Sequence, residues 1–192
     1  MKALIYDAVM APLGWMGLTK ARRRLVAQVY GRVLEVGTGT GLALPGYPEG
    51  VASITAIDID AESLERARQR RPGVELVAAN VQELPFPDQS FDFVIASLVF
   101  CSVDKPARGL AEIHRVLKQG GQLRMLEHVR APTPRLARFQ DRLTPAWSWM
   151  TGGCRLNRDT FSLVQAAGFD VTHRVQLLDG VAEELTAVRV KA

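Results

Sequence analysis

Cysteine is scarce. The 192-residue chain has two, Cys101 and Cys154, far apart and in no metal-ligand spacing, which excludes a disulfide scaffold and leaves no metal site expected. A reduced, cytoplasmic compartment is expected on the same ground. Long apolar runs are missing as well: no stretch of about 18 apolar residues occurs, so none should span a bilayer. Charge of one sign is not in large excess. The 24 basic and 20 acidic residues leave +4, too little by itself to mark a nucleic-acid binder. No repeat and no low-complexity tract is present. The start, Met1 to Leu18, is apolar but interrupted by Lys2, Asp7, Pro12, Gly14 and Gly17 and has no small-residue cleavage site, so it does not read as a secretion signal.

What is there is the balance of a globular domain, 47% hydrophobic and 23% charged. A chain of this size should bury about 70% of the surface its unfolded state exposes. One domain over residues 1–192 is expected, with residues 1–30 as an N-terminal lid and first helix and residues 131–156 as an insertion. The lid carries Leu4, Met10, Leu13, Trp15, Met16 and Leu18 before the basic group Lys20, Arg22, Arg23 and Arg24. Packing on the domain is one reading of it and lying on a membrane surface is the other. A second basic group, Arg66, Arg68, Arg70 and Arg71, reads as a solvated helix face, because Glu62 and Glu65 precede Arg66 and Arg68 at helical spacing. The first group and a third, Arg130, Arg135, Arg138 and Arg142, are candidates for an anionic partner.

Strand and helix patterns alternate. Leu18 to Val29 has helical spacing. Val33–Val36, Ser53–Ile57, Val74–Ala78, Phe91–Ala96 and Gln122–Glu127 read as buried strands, and Phe169–Val175 and Ala182–Val190 as two closing ones. Between them, Ala61–Arg71 is a predicted helix capped by Asp60. Another runs from Pro106 to Leu117 and stops at Gly120-Gly121, and residues 159–167 form a late helix. The expected fold is α/β: a doubly wound, mostly parallel seven-stranded sheet with helices on both faces, a Rossmann-like arrangement. In such a sheet ligands bind at the carboxyl edge, over which residues 131–156 would lie.

Val33-Leu34-Glu35-Val36-Gly37-Thr38-Gly39-Thr40-Gly41 is a strand running into glycines at alternate positions. Backbone without side chains lets a ligand approach the turn closely. The third glycine of a dinucleotide fingerprint is out of place, because position 42 is Leu, which disfavours a pyrophosphate. Asp58 ends the second strand 21 residues after Gly37, where a carboxylate can accept bonds from both ribose hydroxyls. The ligand expected is a nucleoside.

From about Tyr30 to Gly168 the sequence resembles the class I S-adenosylmethionine-dependent methyltransferases, through Glu35, Gly37, Gly39 and Gly41 in their acidic-x-G-x-G-x-G loop. The resemblance implies S-adenosyl-L-methionine as cofactor. By it the loop, with Thr38, holds the methionine part, Asp58 the ribose, and Ile59 packs on the adenine. Asn80, with Val81 beside it, stands where such families often place an acidic residue against the adenine amino group, and an amide carbonyl can still accept that bond. Ser97 to Phe100 would flank the donor.

Phe100-Cys101-Ser102-Val103, Met125-Leu126-Glu127-His128-Val129 and Gly152 to Thr160 resemble stretches of the methyltransferase-like thiol methyltransferases. Gly41 to Pro48 resembles the bacterial phosphatidylethanolamine N-methyltransferases. The resemblance implies methyl transfer to a small or apolar acceptor, a thiol or an amine. The alternatives are a phospholipid headgroup at a membrane surface and a non-catalytic nucleoside-binding protein. A thiol or ammonium acceptor must lose a proton; His128 is the expected base, and Glu127 beside it either assists or only orients it. Cys101 and Cys154 are expected as packing residues. Nucleic acid is not an expected partner: no Asn-Pro-Pro-Tyr-like motif and no Pro-Cys pair occurs.

Overall fold

The computed structural model describes residues 17–190; the lid residues 1–16 lie outside them. Seven strands form one sheet: β1 Arg32–Val36, β2 Ser53–Asp58, β3 Glu75–Ala78, β4 Phe91–Ser97, β5 Leu117–His128, β6 Phe169–Leu177 and β7 Ala182–Arg189. Their order is β3-β2-β1-β4-β5-β7-β6. β1 to β5 run parallel, and β7 lies antiparallel between β5 and β6. The sheet is therefore mixed. The inversion follows from connection length: a short turn, Leu178–Gly180, joins β6 to β7, whereas a parallel return needs a dozen residues or more.

The helices are α1 Thr19–Val26, α2 Ala61–Arg70, α3 Pro106–Val116, α4 Pro134–Thr151 and α5 Thr160–Ala166. Strand alternation sorts the core into two layers. Phe93 and Ile95 of β4 pack with Ala21, Leu25 and Val26 of α1 and Ala67 of α2. Val94 and Ala96 face Leu110, Ile113 and Val116 of α3 and Val164 of α5. α2 starts where its cap predicts: Asp60 accepts from the Glu62 N–H and the Ser63 hydroxyl.

One expected boundary moves. Gly120-Gly121 does not separate helix from strand. β5 begins at Leu117, and its pairing with β4 jumps from Phe91–Leu117 to Phe93–Gln122 across a bulge with Gly120 at φ +72°. Within 131–156 the chain forms α4, which has Pro145 inside it. The buried Gln140 pins α4 to the exit of β5: its amide nitrogen donates to the Val129 and Leu156 carbonyls at 2.9 and 2.8 Å, and its oxygen accepts from the Ala131 N–H at 2.8 Å. Among the described residues no helix is long and apolar enough to cross a membrane.

Gly41 closes the turn after β1 against α2. Its φ is +82°, and a Cβ there would stand 2.9 Å from the Ala67 Cα. Gly41→Ala is expected to lower the unfolding free energy by about 2 kcal/mol through backbone strain and overpacking, read as a lower urea midpoint at unchanged slope.

Candidate active site

β1, β2 and β4 end at the same edge of the sheet, and there the chain encloses a cavity of about 510 Å³, within the range of small-molecule sites. Of the residues expected to bind a donor, Glu35, Gly37, Thr38, Gly39, Asp58, Ile59, Asn80, Val81 and Ser97 line it. Gly41 does not; it packs on α2. Ile57 extends the β1–β2 ladder by accepting from the Thr38 N–H at 3.0 Å. Asp58 then ties the loop down: one carboxylate oxygen accepts from the Gly39 N–H at 2.8 Å and the other from the Asp60 N–H at 2.9 Å. Gly39 has φ +55° and open space where a Cβ would be. The backbone here is bare toward the cavity, as a closely held ligand requires.

Glu35 is buried and accepts from the Thr38 hydroxyl at 2.6 Å. Burial pushes its carboxyl above the usual range, against that bond and the positive charge of Arg22. Ile59 is 77% exposed, an apolar side chain left at the rim. The Asn80 carbonyl already accepts the Gln82 backbone N–H at 2.9 Å and the Gln82 side-chain amide at 3.2 Å, holding the turn after β3.

Arg22 is a site residue that the sequence signalled only as one of a basic group. It comes from α1, is buried, lines the cavity and donates to the Ser97 hydroxyl at 3.2 Å. Ser102, Val103, Thr151 and Gly152 complete one wall, brought there by the loop after β4 and the end of α4.

Glu127 and His128 do not line this cavity. Adjacent on a strand, they point to opposite faces. Glu127 is fully buried, and its two oxygens accept three backbone N–H groups, from Val99 at 3.0 Å, Phe100 at 2.9 Å and Cys101 at 3.1 Å. Burial nevertheless pushes its carboxyl up to about 7, opposed by those bonds. His128 is buried too, its Nδ1 lying 3.4 Å from the Cys154 Sγ. Cys101 joins them: the Cys101, His128 and Cys154 ligand atoms all lie within 4.8 Å of one another. The Cys154 thiol is held well below the usual cysteine range by hydrogen bonding from Cys101 and then His128, against burial. The two cysteines expected as separate packing residues are one cluster.

Residues 34–125 match the methyltransferase-domain family. The chain is 41% identical over 138 residues to a phosphatidylethanolamine N-methyltransferase of Cereibacter sphaeroides, covering 64% of this chain and 68% of that protein. The chain belongs to the S-adenosylmethionine-dependent methyltransferases. It is an enzyme, and its methyl donor is S-adenosylmethionine. A thiol S-methyltransferase of Homo sapiens is 31% identical over 178 residues, covering 84% of this methyltransferase and 72% of the human one. An Aquifex aeolicus S-adenosylmethionine-dependent methyltransferase shares the fold at a TM-score of 0.66 and 22% identity, covering 93% and 92% of the two chains.

Glu127→Ala leaves three buried N–H groups without an acceptor. It is expected to cost about 3 kcal/mol or more of stability, with Glu127→Gln in between because one carbonyl oxygen remains. Thermal unfolding checks the order wild type, Gln, Ala.

Proposed function

We propose that this methyltransferase acts on a small apolar thiol. One observation carries the reading: Trp149 and Met150 stand 88% and 49% exposed and lead directly into Thr151 and Gly152 of the cavity wall. An apolar acceptor is the ligand that such an approach favours. The human thiol enzyme, which aligns with most of this chain, supports a thiol as the reacting group.

S-adenosylmethionine, when bound, supplies an electrophilic methyl group on its sulfonium. This chain's residues bind, orient and exclude water. Asp58 accepts from the ribose hydroxyls, the Gly37-Thr38-Gly39 backbone holds the methionine part, and Ile59, Asn80 and Val81 take the adenine. Arg22, buried beside Ser97, offers its charge to the donor's carboxylate. Glu35 and Ser97 keep the floor of the cavity polar. On the acceptor side, behind the wall formed by Ser102 and Val103, His128 with Cys154 serves removal of the acceptor's proton when no cation occupies them, and Glu127 acts as a positioning residue by fixing the loop that carries Cys101 and Ser102.

A second reading, transfer to a phosphatidylethanolamine headgroup, is favoured by α4. Phe139 and Leu143 are exposed beside the exposed Arg135, Arg138 and Arg142, the pattern of a helix lying on an anionic lipid surface.

Incubation with methyl-labelled S-adenosylmethionine should put label on a small apolar thiol and not on phosphatidylethanolamine in vesicles; label in the lipid instead establishes the second reading. Asp58→Ala is expected to weaken donor binding about tenfold or more in calorimetry, by loss of a charge-assisted pair of bonds. His128→Ala should lower turnover about 100-fold with donor affinity unchanged; unaltered turnover removes His128 from the acceptor side.

A further inference from the structure

We infer that Cys101, His128 and Cys154 form a binding site for a thiophilic divalent cation of the zinc type. The three come from three elements: the loop after β4, the end of β5, and the segment between α4 and α5. All three are buried, and one ligand atom from each lies within 4.8 Å of the others. Two sulfurs and an imidazole nitrogen select zinc-like ions over calcium or magnesium, which take oxygen ligands. A tetrahedron with Zn–S of about 2.3 Å and Zn–N of about 2.05 Å has an S–N edge of about 3.5 Å. The observed separation of Cys154 Sγ from His128 Nδ1 is 3.4 Å.

The backbone presents the two thiols to one point. The Arg155 N–H donates to the Cys101 carbonyl at 2.8 Å, so the two cysteine-bearing loops run side by side. The surroundings suit a cation balanced by thiolates. Two thiolates and a neutral imidazole around a dication sum to zero, and the buried Glu127 carboxylate nearby is offset by the guanidinium of Arg158, which feels both cysteines and Glu127. The indole N–H of Trp147 is buried without a hydrogen-bond partner among the described residues. Three protein ligands leave a fourth position. Ser102, whose hydroxyl is 3.7 Å from the Cys101 sulfur, also lines the cavity. The inference stands on these contacts and not on the identity of the acceptor.

The test uses the full chain, reduced, loaded with zinc chloride, passed through a desalting column and assayed for metal in the absence of any acceptor. About one zinc per chain is expected for the wild type, and less than about a tenth of that for Cys101→Ser/Cys154→Ser. Cobalt(II) on the unaltered protein should give a thiolate-to-metal charge-transfer band, weakened in His128→Ala. Calorimetric binding of S-adenosylmethionine by each variant confirms that it is folded. No zinc retained by the reduced wild type, or equal retention by the double serine variant, overturns the inference. Because the readout is metal content, a wrong acceptor assignment leaves the result unaffected.

Discussion

The loop after β4 depends on one buried carboxylate meeting one turn of backbone. After β4 the chain leaves the sheet. The Leu98 N–H still reaches the Leu126 carbonyl at 2.7 Å, but Leu98 sits at φ +60°, a strained conformation for a branched side chain. The next three N–H groups turn into the protein with no strand opposite them. Unpaired, each would cost about 1–3 kcal/mol. Glu127 takes all three. Arg158 completes the arrangement from the other side by donating to the Phe100 and Val103 carbonyls, so a buried anion and a half-buried cation together satisfy the polar groups of a single loop.

That loop forms one wall of the donor cavity and also carries Cys101, so the clamp joins two sites that the chain builds from different parts. One wall of the cavity rests on the ends of β1 and β2, where Asp58 holds the glycine loop through the Gly39 N–H. The opposite wall rests on β4, β5 and α4. Gln140 fastens α4 to the β5 exit, and the end of α4 delivers Thr151 and Gly152 to the cavity. Rigid strands therefore set the positions of both walls, and the loops need only span short distances. This is the preorganisation that an in-line transfer demands.

Local signals made most of this legible. Seven strands, the Asp60 cap, the glycine loop and Asp58 each depend on a few consecutive residues, and the structure has them where periodicity and turn chemistry put them. The inverted β7 was less visible, although Asp179-Gly180 between two short strand patterns carries a turn signal too tight for a crossover. The bulge at Gly120 was hidden because a glycine pair reads equally as a helix stop and as a kink within a strand. Arg22 was hidden differently: its neighbours Arg23 and Arg24 share its charge, and only the orientation of α1 on the sheet decides which of them turns inward.

The Cys101, His128 and Cys154 cluster marks the limit of reading by spacing. A metal motif is visible in sequence when its ligands lie on one turn or hairpin, because short separation then fixes their geometry. Here 27 residues separate the first from the second and 26 the second from the third, and the approach is made by tertiary structure alone. The parallel pairing of β4 with β5 sets Ser97 beside Leu126, which carries the two chains forward together to Cys101 and His128. The bond from the Arg155 N–H to the Cys101 carbonyl then brings Cys154 in from beyond α4. The same Glu127 that satisfies the loop's N–H groups thus also fixes the first cysteine of the cluster. A change at Glu127 would consequently disturb Cys101 and the cavity wall at Ser102 together, since both hang on the backbone that its carboxylate holds.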